Sequence, residues 1–237
     1  MSIEIDRPKH MLAAHPETAY FWGRVAGDGG VENGCVTVRT ADETAARRVA
    51  AIAGAEQVDH RIVERDFAHD TALARSEDEY TVQVFGDLAE RASAALGLPI
   101  DGQPGGFRFA ALADYDRQLL RGLLEGCGVV CFRESSEEVG VSFVHDDRRL
   151  HRRVRSLLDG IEPAAGYGEL QESSSGGYWF GLDDADTADV AAWLYEGSDR
   201  TGLFSPSRRR KTLRSVERAT GREVGTLRGE GDPSATR

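Results

Sequence analysis

Two runs of arginine are the residues best equipped for chemistry in this sequence, and that chemistry is phosphate binding. Arg148, Arg149, Arg152, Arg153 and Arg155 fall within one stretch, and Arg208, Arg209, Arg210, Lys211, Arg214 and Arg218 within another. Local reversal of charge in an acidic chain points to contact with a nucleic-acid backbone. A solvated helix face with i,i+4 ion pairs would explain the first run equally well. The second has only Glu217 against it, and there the phosphate reading leads.

Other chemistries are poorly served. Gly27-Asp28-Gly29-Gly30 lacks the Lys and Ser/Thr of a phosphate-binding loop. The six histidines are scattered without metal spacing, and no Ser-His-Asp order stands out. Cys35, Cys127 and Cys131 are too few for a disulfide framework, and they lack zinc-site spacing. Small buried thiols are the simpler reading.

With 40 acids against 29 bases the net charge is −11, and lysine occurs only at Lys9 and Lys211. Such a composition resembles that of proteins from salt-loving organisms, where screening makes each phosphate contact weaker. Net acidity therefore argues little against a nucleic-acid partner. The apolar fraction of 40% is that of a globular chain. No apolar run reaches the ~18–20 residues that span a bilayer. The first twenty residues mix charge and proline where a signal peptide needs an apolar core. A cytoplasmic protein without a membrane partner is expected.

The elements that must position these residues come twice. Ala19–Val31 (AYFWGRVAGDGGV) and Leu119–Val130 (LLRGLLEGCGVV) are apolar stretches bearing regularly spaced glycines, and each leads into a β-like segment, Cys35–Arg39 and Val129–Arg133. Val139–Val144 alternates as a second strand should, with a less obvious counterpart in the first half. Helices are expected at Asp42–Ala53, with Asp42 as N-cap and Gly54 as stop, and at Arg148–Leu158, stopped by Gly160. Strand pairs follow near Val58–Phe67 with Tyr80–Phe85 and near Gly168–Glu172 with Tyr178–Leu182, then helices at Asp87–Leu96 and Thr187–Tyr195. Gly23 precedes Gly122 by 99 positions and Tyr80 precedes Tyr178 by 98, an offset that marks an internal repeat. The expected chain is α+β: a first half over 1–97, a Pro/Gly-rich linker over 98–106, a second half over 107–219, and a polar tail over 220–237 expected to be disordered.

FWGRVAGDGG and LRGLLEGCG resemble the twice-repeated helix of the LAGLIDADG homing endonucleases, an apolar helix ending in an acid and a glycine. Leu194-Tyr195-Glu196-Gly197 followed by Arg208-Arg209-Arg210-Lys211 is similar to that family's ending. The resemblance spans roughly Tyr20 to Arg218. It implies a single-chain monomer of two pseudo-symmetric αββαββα halves. Gly23, Gly27, Gly122 and Gly126 would let the two motif helices pack closely. Antiparallel sheets would form a saddle on double-stranded DNA. One acid per half would hold magnesium for phosphodiester cleavage.

Asp28 occupies the acid's position in the first half, as metal ligand and catalytic residue. Cys127 stands there in the second, and a neutral thiol is a poor magnesium ligand. Glu125 lies two residues earlier on another helical face and is a weak substitute. Base reading would fall to strand residues Thr37, Arg39, Arg65, Gln83, Arg133 and Gln171, since Arg and Gln pair with guanine and adenine edges. The leading expectation is a DNA-binding protein with lost or impaired cleavage. One alternative is an active magnesium-dependent endonuclease or nickase using Asp28 with Glu125. Another is a domesticated module working through protein contacts. An arginine-rich helix does not by itself separate DNA from RNA.

Overall fold

The computed structural model describes residues 5, 7–67, 70–174 and 176–223, without the side chains of 65–75. Residues 224–237, most of the expected disordered tail, lie outside the described residues, and Thr220 closes the last helix rather than opening the tail. The first half runs α1 (Pro16–Asp28), β1 (Gly29–Glu32), β2 (Cys35–Thr40), α2 (Glu43–Ala53), β3 (Val58–Phe67), β4 (Asp70–Phe85) and α3 (Leu88–Leu96). After a 3₁₀ turn at Ala110–Tyr115 the second half repeats the order: α4 (Asp116–Cys127), β5 (Gly128–Arg133), β6 (Glu138–His145), α5 (Arg148–Leu158), β7 (Gln171–Glu172), β8 (Tyr178–Gly181) and α6 (Asp184–Tyr195). A short α7 (Ser198–Thr201) and the basic α8 (Pro206–Thr220) follow. The two antiparallel sheets have equivalent strand orders, β1-β2-β4-β3 and β5-β6-β8-β7, as expected of a duplicated α+β chain.

The structure corrects which strands correspond. Gly29 pairs with Val38 and Gly128 with Phe143, so β5 (VVCFR) matches β1, and β6 (VGVSFV) matches β2. The sequence reading had set Cys35–Arg39 against Val129–Arg133. It passed over β1 because GGVE is short and half glycine, with little β propensity of its own. The β3–β4 hairpin is also much longer than expected, since β4 starts at Asp70 rather than near Tyr80. Its polar stretch carries no apolar alternation and is held as strand by pairing with β3.

Paired helices form the centre. α1 starts with Pro16 at its first position, where a missing N–H costs nothing. It is buried on every face from Glu17 to Gly27. Tyr20, Phe21 and Trp22 are fully buried, each worth roughly 1.5–3 kcal/mol or more of hydrophobic stabilisation. The Trp22 indole N–H donates to the Met11 carbonyl at 2.6 Å. Gly23 and Gly27 lie four apart on one face, as do Gly122 and Gly126 on α4, and these faces meet.

Helix ends follow the sequence with one exception. The Asp42 carboxylate accepts from the Ala45 N–H, and Gly54 closes α2 in the left-handed conformation at φ 68°. α5 ends at Leu158 with Asp159 as a right-handed cap, so Gly160 is not its stop.

Candidate functional site

The glycines bring the C-terminal ends of α1 and α4 together. A Cβ on Gly126 would sit 3.0 Å from the Asp28 nitrogen, and one on Gly27 would sit 3.0 Å from the Cys127 nitrogen. Asp28, the last residue of α1, is exposed and opens on a cleft of about 320 Å³ that Arg24, Arg39, Gly126 and Arg208 also line. Cys127 is buried, with its thiol donating to the Leu123 carbonyl at 3.4 Å. Burial, and then the Asp28 carboxylate, push that thiol up to about 12, so it stays neutral at physiological pH. One carboxylate beside one neutral thiol does not fit a symmetric pair of hard divalent ions, which require oxygen ligands. Among the described residues no group of three or more His, Cys, Asp or Glu is placed to hold a metal.

Glu125 does not share this surface with Asp28 as an equal. It is 3% exposed, and both of its oxygens are taken up inside the molecule. The Tyr20 hydroxyl donates to it at 2.7 Å, the Tyr195 hydroxyl at 3.1 Å, and the Ser205 backbone N–H at 2.9 Å. Arg24, 1% exposed, lies 3.7 Å away and donates to the Arg39 carbonyl at 2.9 Å. Burial pushes the Glu125 carboxyl upward, against Arg24 and these donors, which favour the charged form. Arg121 is buried likewise and donates to the carbonyls of Leu194 and Leu203. The sequence reading missed this network. Its signal was an arginine inside each apolar motif, because a buried guanidinium must find partners.

The arginine runs part company. On α5, Arg148, Arg149 and Arg152 are exposed and Arg153 is half-buried. The helix packs Leu150, Val154 and Leu158 toward the core side of its sheet, so these cations lie on the helical layer, away from the outward strand face. Arg149 donates to the Gly105 carbonyl in the linker at 2.9 Å. Arg148 sits over Tyr178, and Arg155 over Tyr167 and Phe180. On α8, Arg208 donates to the Gly128 carbonyl at 3.2 Å and borders the Asp28 cleft. Arg209 is tied to Ser198 and stacked over Phe204, while Arg210, Lys211 and Arg214 are exposed.

Strand register sets the outward faces. Thr37 opposes Gln83 and Arg39 opposes Thr81, which puts these four on one side of the first sheet with Glu32, Asp59, Arg61 and Glu79. Arg61 and Glu79 form an ion pair. In the second sheet Arg133 is paired with Glu138 and Asp184, and Gln171 opposes Trp179. The side chain of Arg65 lies outside the described residues. Acids and bases therefore alternate on the first sheet's outward face rather than forming a basic field.

Residues 1–222 match the family model described as "Putative archaeal homing endonuclease", one of the LAGLIDADG models. The chain belongs to the LAGLIDADG family. No curated protein matches the sequence. Among solved structures, the homing endonuclease I-WcaI bound to its DNA recognition sequence shares the fold with a TM-score of 0.54 at 8% identity, over 85% of this chain and 88% of that one. Two others are more distant in shape. The N-terminal LAGLIDADG domain of DUF199/WhiA matches with a TM-score of 0.46 at 12% identity, over 85% and 94% of the chains. Mesophilic variants of I-DmoI match with a TM-score of 0.47 at 13% identity, over 78% and 97%.

Within the LAGLIDADG frame the motif helices are α1 and α4, and their terminal positions are Asp28 and Cys127. Asp42 and Asp147 are equivalent N-caps of α2 and α5, but they are used differently. The Asp42 carboxylate also accepts from the Ser207 N–H at 2.8 Å and the Ser205 hydroxyl at 3.1 Å, which fastens the start of α8 beside Asp28. These hydrogen bonds hold the Asp42 carboxyl below its ordinary value in spite of its partial burial. That fastening makes the two halves differ at this point.

Proposed function

We propose that this LAGLIDADG protein binds double-stranded DNA with its double-strand cleavage lost or impaired. One observation carries the reading: where two acids would meet at the helix ends, Asp28 meets a buried, neutral Cys127. Cutting two strands requires a metal-bound water and a stabilised leaving oxygen at each scissile phosphate. Magnesium would supply that chemistry where Asp28 could ligate it, and Cys127 offers it no second anchor. What this chain's own residues contribute is position and charge. The α1–α4 pair fixes the two halves as a pseudo-dimer within one monomer, 1–97 against 107–219. Arg208 and the exposed Arg210, Lys211 and Arg214 offer cations along α8. I-WcaI is bound to its DNA recognition sequence in the related structure, which supports duplex DNA as the partner.

Gel-shift titration of random-sequence duplexes at several salt concentrations tests this, with log K expected to fall linearly with log salt. Absence of salt-dependent binding sinks the proposal, and preference for an RNA competitor reassigns the nucleic acid. Incubation of a target library with magnesium separates the active reading. Cleavage or nicking that Asp28→Asn abolishes would establish an endonuclease or nickase. The acids among the outward strand residues, Glu32, Asp59 and Glu79, favour a second reading, a module acting through protein contacts. That reading predicts no duplex binding at physiological salt. Function in the cytoplasm accords with either reading.

A further inference from the structure

Helix α5 presents cations along its solvent side. Leu150, His151, Val154, Leu157 and Leu158 are buried, while Arg148, Arg149 and Arg152 are exposed and Arg153 is half-buried. His151 packs edge-on against Phe180 on the inner face of the second sheet, and Val144 and Trp179 alternate to the other face. The α5 cations therefore lie on the layer opposite the outward strand face. Surface arginines elsewhere are matched: Arg47, Arg61, Arg91, Arg117, Arg133 and Arg222 each sit within ion-pair reach of an acid. Among the described residues no α5 arginine has such a partner. Nearby acids are engaged or set apart. Asp147 accepts from the Arg149 N–H, Asp159 accepts from the Tyr167 hydroxyl, and Asp116 lies toward Arg153 without closing an ion pair.

Several of these side chains are held in place. Arg149 donates to the Gly105 carbonyl, Arg148 lies over Tyr178, and Arg155 donates to the Gly168 carbonyl while covering Tyr167. Gly106, Arg149, Arg152, Arg153 and Ser156 line a depression of about 310 Å³, and the Arg153 Nε is buried without a hydrogen-bond partner. Resting on the DNA-binding reading above, we infer that this face grips the phosphates of a second DNA duplex, so that one chain bridges two segments. Cations repeated along a helix roughly 16 Å long suit a polymer of repeated negative charge better than a lone anion. Guanidinium forks match phosphate oxygens in bidentate fashion and form strong charge-assisted bonds. A protein partner would need an apolar centre, and the exposed large apolar side chains among the described residues, Ile62, Phe85, Val129 and Val144, all lie on strands. A single strand would need open rings on which to stack its bases, and Tyr178 and Tyr167 lie under arginines. The backbone of a duplex requires neither. Phosphate contacts carry no base reading, so the second segment can have any sequence.

The experiment immobilises one random-sequence duplex, loads it with the full chain, and measures capture of a second, fluorescent duplex at several salt concentrations. Capture is expected. Arg149→Gln, Arg152→Gln and Arg153→Gln combined should weaken capture about tenfold or more, lower its salt slope by about three, and leave the immobilised duplex bound. Arg152→Gln alone should weaken capture about fivefold and lower the slope by about one. The Arg152 side chain has no partner among the described residues, so this variant decides the matter even if the triple one loosens the fold. Chain bound to the immobilised duplex without capture of the second would overturn the bridging site and leave the DNA-binding reading intact. Capture unchanged in both variants has the same force, since it points to pairing of chains. Displacement of the second duplex by RNA or by polyglutamate at lower concentration than by duplex DNA also rejects it. Failure to bind either duplex would overturn both readings.

Discussion

Gly23 and Gly122 face each other so closely that a Cβ on either would lie 3.0 Å from the other's Cα, and 2.4 or 2.3 Å from a carbonyl oxygen of the opposing helix. Backbone cannot yield as a flexible side chain can. Gly122→Ala should therefore push α1 and α4 apart and destabilise the protein by about 3 kcal/mol or more, at the upper end of overpacking costs. Urea unfolding measures it, and a change below about 1 kcal/mol would show that the helices are not in contact.

Asp42 and Asp147 offer a matched comparison. Both cap helices, but the Asp42 carboxylate also binds Ser205 and Ser207 at the start of α8, while the Asp147 carboxylate accepts from the nearby Arg149 N–H. Asp147→Ala should cost about 1 kcal/mol, the usual loss of an N-cap, and Asp42→Ala about 2 kcal/mol or more. Equal losses in chemical denaturation would mean that α8 is not fastened through this carboxylate.

The cysteines should differ in reactivity. Cys131 is exposed, whereas Cys127 is buried with its thiol pushed up to about 12. A thiol reagent near pH 8 should modify Cys131 rapidly and reach Cys127 only in denaturant, because the thiolate is the nucleophile. Rapid modification of Cys127 in the folded protein, read by peptide mass spectrometry, would place an ionisable thiol beside Asp28 and weaken the cleavage argument.

His145 and His151 set the response to acid. Burial holds both imidazoles below their ordinary 6.5, the two rings disfavour being protonated together, and Arg155 adds to the effect on His151. Asp146 and Asp147 pull the other way for His145, as do the backbone hydrogen bonds at His145 and Tyr178, and then Asp147, for His151, but they do not prevail. The unfolded chain thus binds protons more readily than the folded one. Their contribution to stability is complete above about pH 6.5 and declines as pH falls through the depressed folded values. Urea unfolding at pH 7.5 and 5.5 should show that decline, reduced in His145→Gln.

Much of this architecture was legible because it is periodic. The offset of 99 between halves marked the repeat and aligned Asp28 with residue 127, while the resemblance to the LAGLIDADG family implied that the two glycine-bearing helices meet. Strand β1 escaped notice because two of its four residues are glycine, and the early part of β4 because its polarity is that of a loop. Long-range pairing supplies both. The buried network was illegible for another reason. Arg24 and Arg121 could be seen as charges in apolar runs, but Glu125, Tyr195 and the carbonyls of Leu194 and Leu203 become partners only after the chain has folded. The α5 arginines met the statistical pattern for phosphate contact. Their place on the helical layer depends on which face of α5 packs inward, and five cations in one run conceal that.

The backbone N–H of Ser205 ends on Glu125, and the carbonyl of Leu203 receives Arg121, so the segment entering α8 satisfies two ionic groups at the molecule's midline. A chain cut back to position 202 would still contain both sheets and both motif helices. It would nonetheless strand a carboxylate and a guanidinium in the interior. Shortening this protein from its C-terminal side is thus equivalent to wounding its centre, and a minimal version must carry the basic helix whether or not that helix touches a ligand.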